Sequence, residues 1–435
     1  MTDIKIGLIG IGTVGGGTFA LLQQNGEEIM RRSGQNISIR MVADRNLAEA
    51  HRIAAGTAEV VDDAFALVKH ADISIVVELI GGTTLAKDLV LTAIACGKHV
   101  VTANKALLAQ HGAEIFNAAH SRGVIVAFEA AVAGGIPIIK ALREGMAANR
   151  IRWVAGIING TTNFILSEMR AHGTSFSEAL AEAQNLGYAE ADPSFDVEGI
   201  DAAHKLSLLS AVAFGVPLQF SSAYTEGISQ LESLDIRYAE ELGYRVKLLG
   251  ITKRLEMGIE LRVHPTLIPE KRLIANVDGV MNAVLVMGDA VGPTLYYGAG
   301  AGAQPTASAV VADIIDVARL MNVPSSARVP MLGFQSLQAL PVLPIEAIYS
   351  AYYLRMRALD KPGVLAAVTA TLGQRNISIE ALLQKEPSAE ADYADIVMLT
   401  SVTEEREMNL AIASLQALSA VCGEIVKIRV ESLGR

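Results

Sequence analysis

The chain has 435 residues, enough for two to four domains, and its 51% hydrophobic and 19% charged content excludes a disordered chain. A net charge of −10 and a pI near 5.4, with no run of Lys and Arg, exclude a phosphate-backbone partner and leave a small molecule as the expected ligand. Two distant cysteines, Cys96 and Cys422, exclude a disulfide framework, and no apolar run nears the ~18 residues of a membrane span, so the expectation is a cytoplasmic enzyme that binds neither nucleic acid nor membrane.

Residues 4–9, IKIGLI, predict a strand that runs into GIGTVGGGTFALLQQ, a tight turn and then a helix. ISIRMVA at 37–43, ISIVVELIGG at 73–82 and HVVTANKALL at 99–108 alternate with Ala-rich helical segments, the rhythm of a parallel βαβ sheet. GVIVAFEAAVAGG closes an α/β, Rossmann-type dinucleotide-binding domain over residues 1–135. From WVAGIINGTTNFIL the texture changes to longer helices and to strands such as YRVKLLGITKR, predicting an α+β substrate-binding domain over 136–303. The helix after YYGAGAG is expected to complete the first domain over about 304–340. Pro330, Pro341 and Pro344 mark a linker. Residues 349–435 then read βαββαβ, the ferredoxin-like pattern.

Gly10, Gly12 and Gly15, with Ile11, Thr13 and Val14 between them, form G-x-G-x-x-G between strand and helix. There the glycines permit a tight turn and close approach to a pyrophosphate. At the end of the second strand Asp44 predicts NAD, through a ribose hydroxyl, whereas Arg45 predicts NADP, through a 2′-phosphate, and the residues alone leave both open.

Lys105, just past an apolar strand, lies at the carboxyl edge where open α/β sheets bind ligands, or else starts a surface helix. Asp201 and Lys205 stand four apart, on one helical face that continues through Leu208 and Val212 into apolar ground. A surface ion pair, worth under ~1 kcal/mol, would sit on a polar stripe, so a functional pair at a cleft is the expectation. Before it, a loop with Gly187, Pro193 and Gly199 carries Glu190, Asp192, Asp196 and Glu198, able to surround a cationic group. His204 points elsewhere on the helix and reads as structural.

In order along the chain, GIGTVG, TANKALLA, FEAAVAGGIPII, GIINGTTNFIL, LGYAEADPSFDVEGIDAAHKL and YYGAGAGAQPTASAVVAD resemble the homoserine dehydrogenase family. The resemblance implies interconversion of L-homoserine and L-aspartate 4-semialdehyde with NAD(P), in threonine, isoleucine and methionine biosynthesis. It also implies that Lys205 is the proton donor, Glu190 and Asp201 are substrate ligands, Lys105 sits at the cofactor–substrate junction, and Gly187 and Gly302 are cofactor neighbours. A sodium-type monovalent cation is implied at Glu129, Val132, Gly134 and Ile136. Related sequences often carry an apolar residue before the arginine where this one has Asp44, so NADP with NAD accepted is expected. LDKPGVLAAV and NISIEAL resemble an ACT domain, implying an amino-acid effector, threonine by pathway logic, and a dimer or tetramer of this chain. On this reading the last unit can be removed, near Leu343, without loss of the reaction. The rival readings are a phosphorylating semialdehyde dehydrogenase, which needs a cysteine nucleophile where Cys96 and Cys422 are ill placed, and a non-catalytic dinucleotide and amino-acid sensor.

Overall fold

The computed structural model describes residues 3–385 and 392–434. Six short strands, β1 (Asp3–Ile9), β2 (Asn36–Ala43), β3 (Glu59–Val61), β4 (Ile75–Glu78), β5 (His99–Thr102) and β6 (Val126–Ala127), form a parallel sheet in the order β3-β2-β1-β4-β5-β6. Helices cover both faces, so β4 and β5 are buried at every residue and need continuous apolar runs rather than alternation. The strand order reverses between β1 and β4, which opens a crevice at their carboxyl ends. Helix Ala303–Leu320 returns to this unit: its Ala309, Val310, Ile314 and Val317 share a core with Ile6, Leu8, Phe19 and Val77.

The second sheet is built from β7 (Ile151–Ile157), β8 (Tyr224–Thr225), β9 (Tyr244–Leu255), β10 (Gly258–Pro269), β11 (Met281–Gly288) and β12 (Gly292–Ala299). It goes on through β13 (Tyr349–Leu359), β14 (Ile379–Gln384), β15 (Tyr393–Thr400), the two-residue β16 (Thr403–Glu404) and β17 (Val421–Val430). The order is β12-β11-β7-β9-β10-β17-β13-β15-β14, with β8 beside β10 and β16 beside β13. Within it the last four positions, β17-β13-β15-β14, are the ferredoxin-like arrangement of a βαββαβ unit.

The junction between the two parts changes one expectation. β10 and β17 pair in parallel at Thr266↔Arg429 and Leu267↔Val430, so the C-terminal unit shares a sheet with the substrate-binding unit. The proline-rich connection is stitched down as well. Ile259 N donates to Pro341 O at 2.9 Å, Leu343 N to Ile259 O at 2.8 Å and Gln338 N to Gly215 O at 2.7 Å. Arg328 donates to the carbonyls of Gly123, Met321 and Val323. These bonds would survive removal of everything after Leu343, but the β10–β17 pairing and the core that Tyr353, Leu399 and Ile428 share with Val246 and Leu267 would not, so the idea that the unit detaches without consequence does not fit this architecture.

Candidate active site

The glycine turn follows β1 directly. Gly10 takes φ +92°, and a β-carbon on Gly15 would stand 1.9 Å from the Gly10 carbonyl oxygen, so neither position accepts a larger residue without moving the backbone. A β-carbon on Gly12, in contrast, would meet nothing within 4 Å, which leaves the amino end of helix Thr13–Gln24 open to an anionic group. Asp44 is tied into the turn: Ile11 N donates to its Oδ2 and Asn46 N to its Oδ1, each at 2.7 Å. Arg45 is exposed and makes no ion pair among the described residues. One carboxylate thus braces the loop while the neighbouring guanidinium is available to a ligand.

At the carboxyl end of β4, Glu78 is fully buried, and burial raises its pKa above the usual carboxylate value. Its Oε2 accepts from Thr102 Oγ1 at 2.7 Å and its Oε1 from Ile80 N at 3.0 Å. Asn104 caps helix Lys105–Arg122 through Leu107 N and donates to Gly82 O, so the loop under the crevice and the start of that helix are held together. This places Lys105 at the crevice edge, half-buried.

Helix Ile200–Phe214 is buried on every side rather than along one stripe. Asp201 retains only 3% of its exposure and Lys205 9%. The Asp201 carboxylate is divided: Oδ1 lies 3.1 Å from Lys105 Nζ, and Oδ2 lies 2.6 Å from Lys205 Nζ. Lys205 also donates to the Ile158 carbonyl at 2.7 Å. Burial opposes the Asp201 charge, but the two ammonium groups outweigh it and hold the carboxyl well below its ordinary range. For Lys205 burial is the larger influence and lowers the pKa from 10.5, with Asp201 pulling the other way.

Asn159, which spacing did not single out, bridges the site. Its Nδ2 lies 2.6 Å from Asp196 Oδ1 and 2.9 Å from Asp201 Oδ2, while its Oδ1 caps helix Gly160–His172 through Thr162 N. The Asn-Gly-Thr-Thr start of that helix was a legible capping signal, but nothing local showed what else the amide would touch. Asp196 is drawn in, its pKa raised chiefly by burial. Asp192 instead caps a turn by accepting from Ser194 N and Oγ. Glu190 and Gly187 lie exposed at the start of the loop, and the Glu190 side chain makes no bond among the described residues. His204 packs between the rings of Phe195 and Phe220, with both ring nitrogens unpartnered. Gly302, at φ +118°, precedes helix Ala303–Leu320.

At the predicted cation position, Glu129 is buried, and burial together with the Asp313 carboxylate pushes its pKa up to about 7. Its oxygens accept from Ile139 N and Lys140 N at 2.8 and 2.9 Å. Ala133 and Gly134 both take positive φ, 55° and 54°, turning the chain sharply. The carbonyls of Val132 and Gly134 accept no hydrogen bond among the described residues, whereas Ile136 O accepts from Ile138 N. A buried carboxylate beside unengaged carbonyls suits a hard monovalent cation. No group of three or more His, Cys, Asp or Glu side chains arranged for a metal occurs among the described residues.

A dinucleotide turn after β1 and a buried lysine–carboxylate pair joined to Lys105, after β5 of the same sheet, define an oxidoreductase of the nicotinamide-dependent class. Family models described as "Homoserine dehydrogenase, NAD binding domain", "Homoserine dehydrogenase" and "ACT domain" match residues 10–129, 137–315 and 352–420. A homoserine dehydrogenase of Pseudomonas aeruginosa is 60% identical over 435 residues, covering 100% of both chains. The crystal structure of a homoserine dehydrogenase from Thiobacillus denitrificans superposes with a TM-score of 0.95 at 62% identity, over 100% of this chain and 99% of that one. A hyperthermophilic archaeal homoserine dehydrogenase in complex with NADPH superposes at 0.63 and 26% identity, over 78% of this chain and 100% of the other. The chain belongs to the homoserine dehydrogenase family.

Proposed function

We propose that the protein interconverts L-homoserine and L-aspartate 4-semialdehyde with NADP, accepting NAD, on the route to threonine, isoleucine and methionine. The observation that carries this reading is the Asp201 carboxylate shared between Lys105 and Lys205 at the carboxyl edge of a dinucleotide-binding sheet. The bound nicotinamide supplies the hydride chemistry. Lys205 handles the proton: as ammonium it protonates the substrate oxygen during reduction, and as neutral amine it takes the hydroxyl proton during oxidation. Its lowered pKa raises the neutral fraction available near neutral pH. Lys105 holds positive charge where cofactor and substrate meet, and Asp201 keeps both lysines in place.

Asp201 and Glu190 serve as ligands of the substrate, and the acidic loop as a whole favours its ammonium. Gly10, Ile11, Gly12, Thr13, Val14 and Gly15 would receive the pyrophosphate, Gly187 and Gly302 would lie beside the cofactor, and Arg45 would pair with a 2′-phosphate. The NADPH bound by the archaeal relative supports that choice. A sodium-type cation at Glu129, Val132, Gly134 and Ile136 would fix the loop between the two units. The C-terminal unit takes an amino-acid effector, with threonine as the end product expected to inhibit, and the protein works as a homodimer or tetramer in the cytoplasm. Solvent-facing Leu273, Tyr297 and Val291 on and beside the outer strands offer apolar surface for such assembly.

Absorbance at the nicotinamide band, followed with homoserine and each cofactor, tests the reading. Homoserine-dependent reduction of NADP is the expected result; cofactor binding with no turnover would favour a sensor instead.

A further inference from the structure

β17 brings a charged side chain of the C-terminal unit into the wall behind the substrate loop. Arg429 is 1% exposed, and its guanidinium is fully engaged. Nε and Nη2 donate to the two Glu405 oxygens at 2.9 and 2.6 Å, and Nη1 donates to Glu226 Oε2 at 2.7 Å. Tyr224 lies under the guanidinium at 4.9 Å and donates its hydroxyl to the same Glu226 oxygen at 2.8 Å. Glu405 and Arg429 belong to the C-terminal unit; Tyr224 and Glu226 belong to the substrate-binding unit.

The segment that Arg429 grips is bonded to the acidic loop. Glu226 N donates to Val263 O at 2.8 Å, and Ile228 N donates to Val197 O at 2.9 Å. Between them Gly227 passes so close that a β-carbon there would lie 2.5 Å from Val197 O and 2.7 Å from Glu198 Cα. Val197, Glu198 and Gly199 are the residues between Asp196, bonded to Asn159, and the helix that presents Asp201 and Lys205. At one end Val197 adjoins Asp196 directly, and at the other only Ile200 separates Gly199 from Asp201.

We propose that Arg429 is a positioning residue for the substrate site: through Glu226 it sets where Val197–Gly199 lies, and so the spacing of Asp196 and Asp201 around the substrate. The C-terminal unit is on this account part of the working site as well as an effector-binding device. An effector that disturbs the Glu405–Arg429 pair reaches the substrate loop by the same path. The proposal rests on the reading that Asp201 and Lys205 form the catalytic pair.

The test uses full-length Glu226→Gln and Arg429→Lys, with Asp201→Asn as control, measuring KM for homoserine, kcat, cofactor Kd and Tm. KM should rise roughly 3- to 30-fold in Glu226→Gln, and less in Arg429→Lys, with cofactor Kd unchanged. A fall in Tm with KM and kcat unaltered would reduce Arg429 to a structural role and overturn the proposal, as would an equal loss of cofactor affinity. Should Glu226→Gln fail to fold, Tyr224→Phe removes the hydroxyl that donates to Glu226 and accepts from Arg429 Nη2, and must move KM in the same direction. If Asp201→Asn itself leaves turnover and KM intact, the catalytic reading fails; if it impairs them while the relay variants do not, only the relay fails.

Discussion

Lys205 is enclosed by one carboxylate and one carbonyl, and this sparse company gives its titration a readable sign. Burial lowers its pKa, Asp201 raises it and Lys105 lowers it. In homoserine oxidation the neutral amine is the active form, so rate should climb with pH through this group. Asp201→Asn removes a raising influence and should move that limb to lower pH; Lys105→Ala removes a lowering one and should move it up. A pH–kcat profile for each variant checks the opposed directions, and parallel shifts would assign the limb to another group. Lys205→Ala should cost about 10²- to 10⁴-fold in kcat with cofactor affinity kept. At the cofactor end, Arg45→Ala should weaken NADP far more than NAD. Because the Asp44 oxygens hold Ile11 N and Asn46 N, Asp44→Ala should weaken both cofactors, which titration of each by nicotinamide fluorescence resolves.

Among the elements, β17 carries the most consequence for its length. Its neighbour β10 presents Arg262, paired with Glu260 and with Glu431, and Lys253 reaches the same Glu431 at 3.0 Å. Farther along, fully buried Asp235 accepts from Arg355 Nε at 2.6 Å and from Tyr353 Oη at 3.0 Å. A chain ended at Leu343 keeps the Arg262–Glu260 pair but loses Glu431, Arg355 and Tyr353, and it bares the core that Val246 and Leu267 share with Tyr353, Leu399 and Ile428. Apolar surface returned to water costs about 25 cal/mol per Å², and a domain's whole stability is only about 5–15 kcal/mol. The truncated chain should therefore melt far below the full protein, or fail to fold, and lose turnover; native melting with full activity would contradict this. The βαββαβ pattern was legible from strand and helix periodicity. The pairing of its last strand with β10 was not, because sheet neighbours separated by some 160 residues leave no local trace.

For the whole molecule, regulation has a thermodynamic form that can be measured. If threonine favours an arrangement with weaker substrate binding, coupling of about 1–3 kcal/mol would change homoserine affinity by about 5- to 150-fold, and homoserine must weaken threonine by the same factor. Calorimetric titration of threonine with and without homoserine should show that reciprocity. Absence of threonine binding would leave another amino acid as effector, or assembly as the unit's task. No helix among the described residues is long and apolar enough to cross a membrane.

The identity of the chemistry lay in short segments. G-x-G-x-x-G between a strand and a helix, a lysine after an apolar strand, and an Asp–Lys pair four residues apart each state a local geometry, since turns and helical spacing depend on neighbours in the chain. What the sequence left open was which charge dominates each group. That Asp44 braces the turn was not legible, and Lys205 could have been tuned either way until burial outweighed Asp201. Asn159 showed locally only as a helix cap, and Glu78 and Arg429 showed nothing, because their roles at the site come from partners 42, 24 and 203 residues away. Desolvation and hydrogen bonding across such distances are properties of packed surfaces, and only the tertiary structure brings those surfaces together.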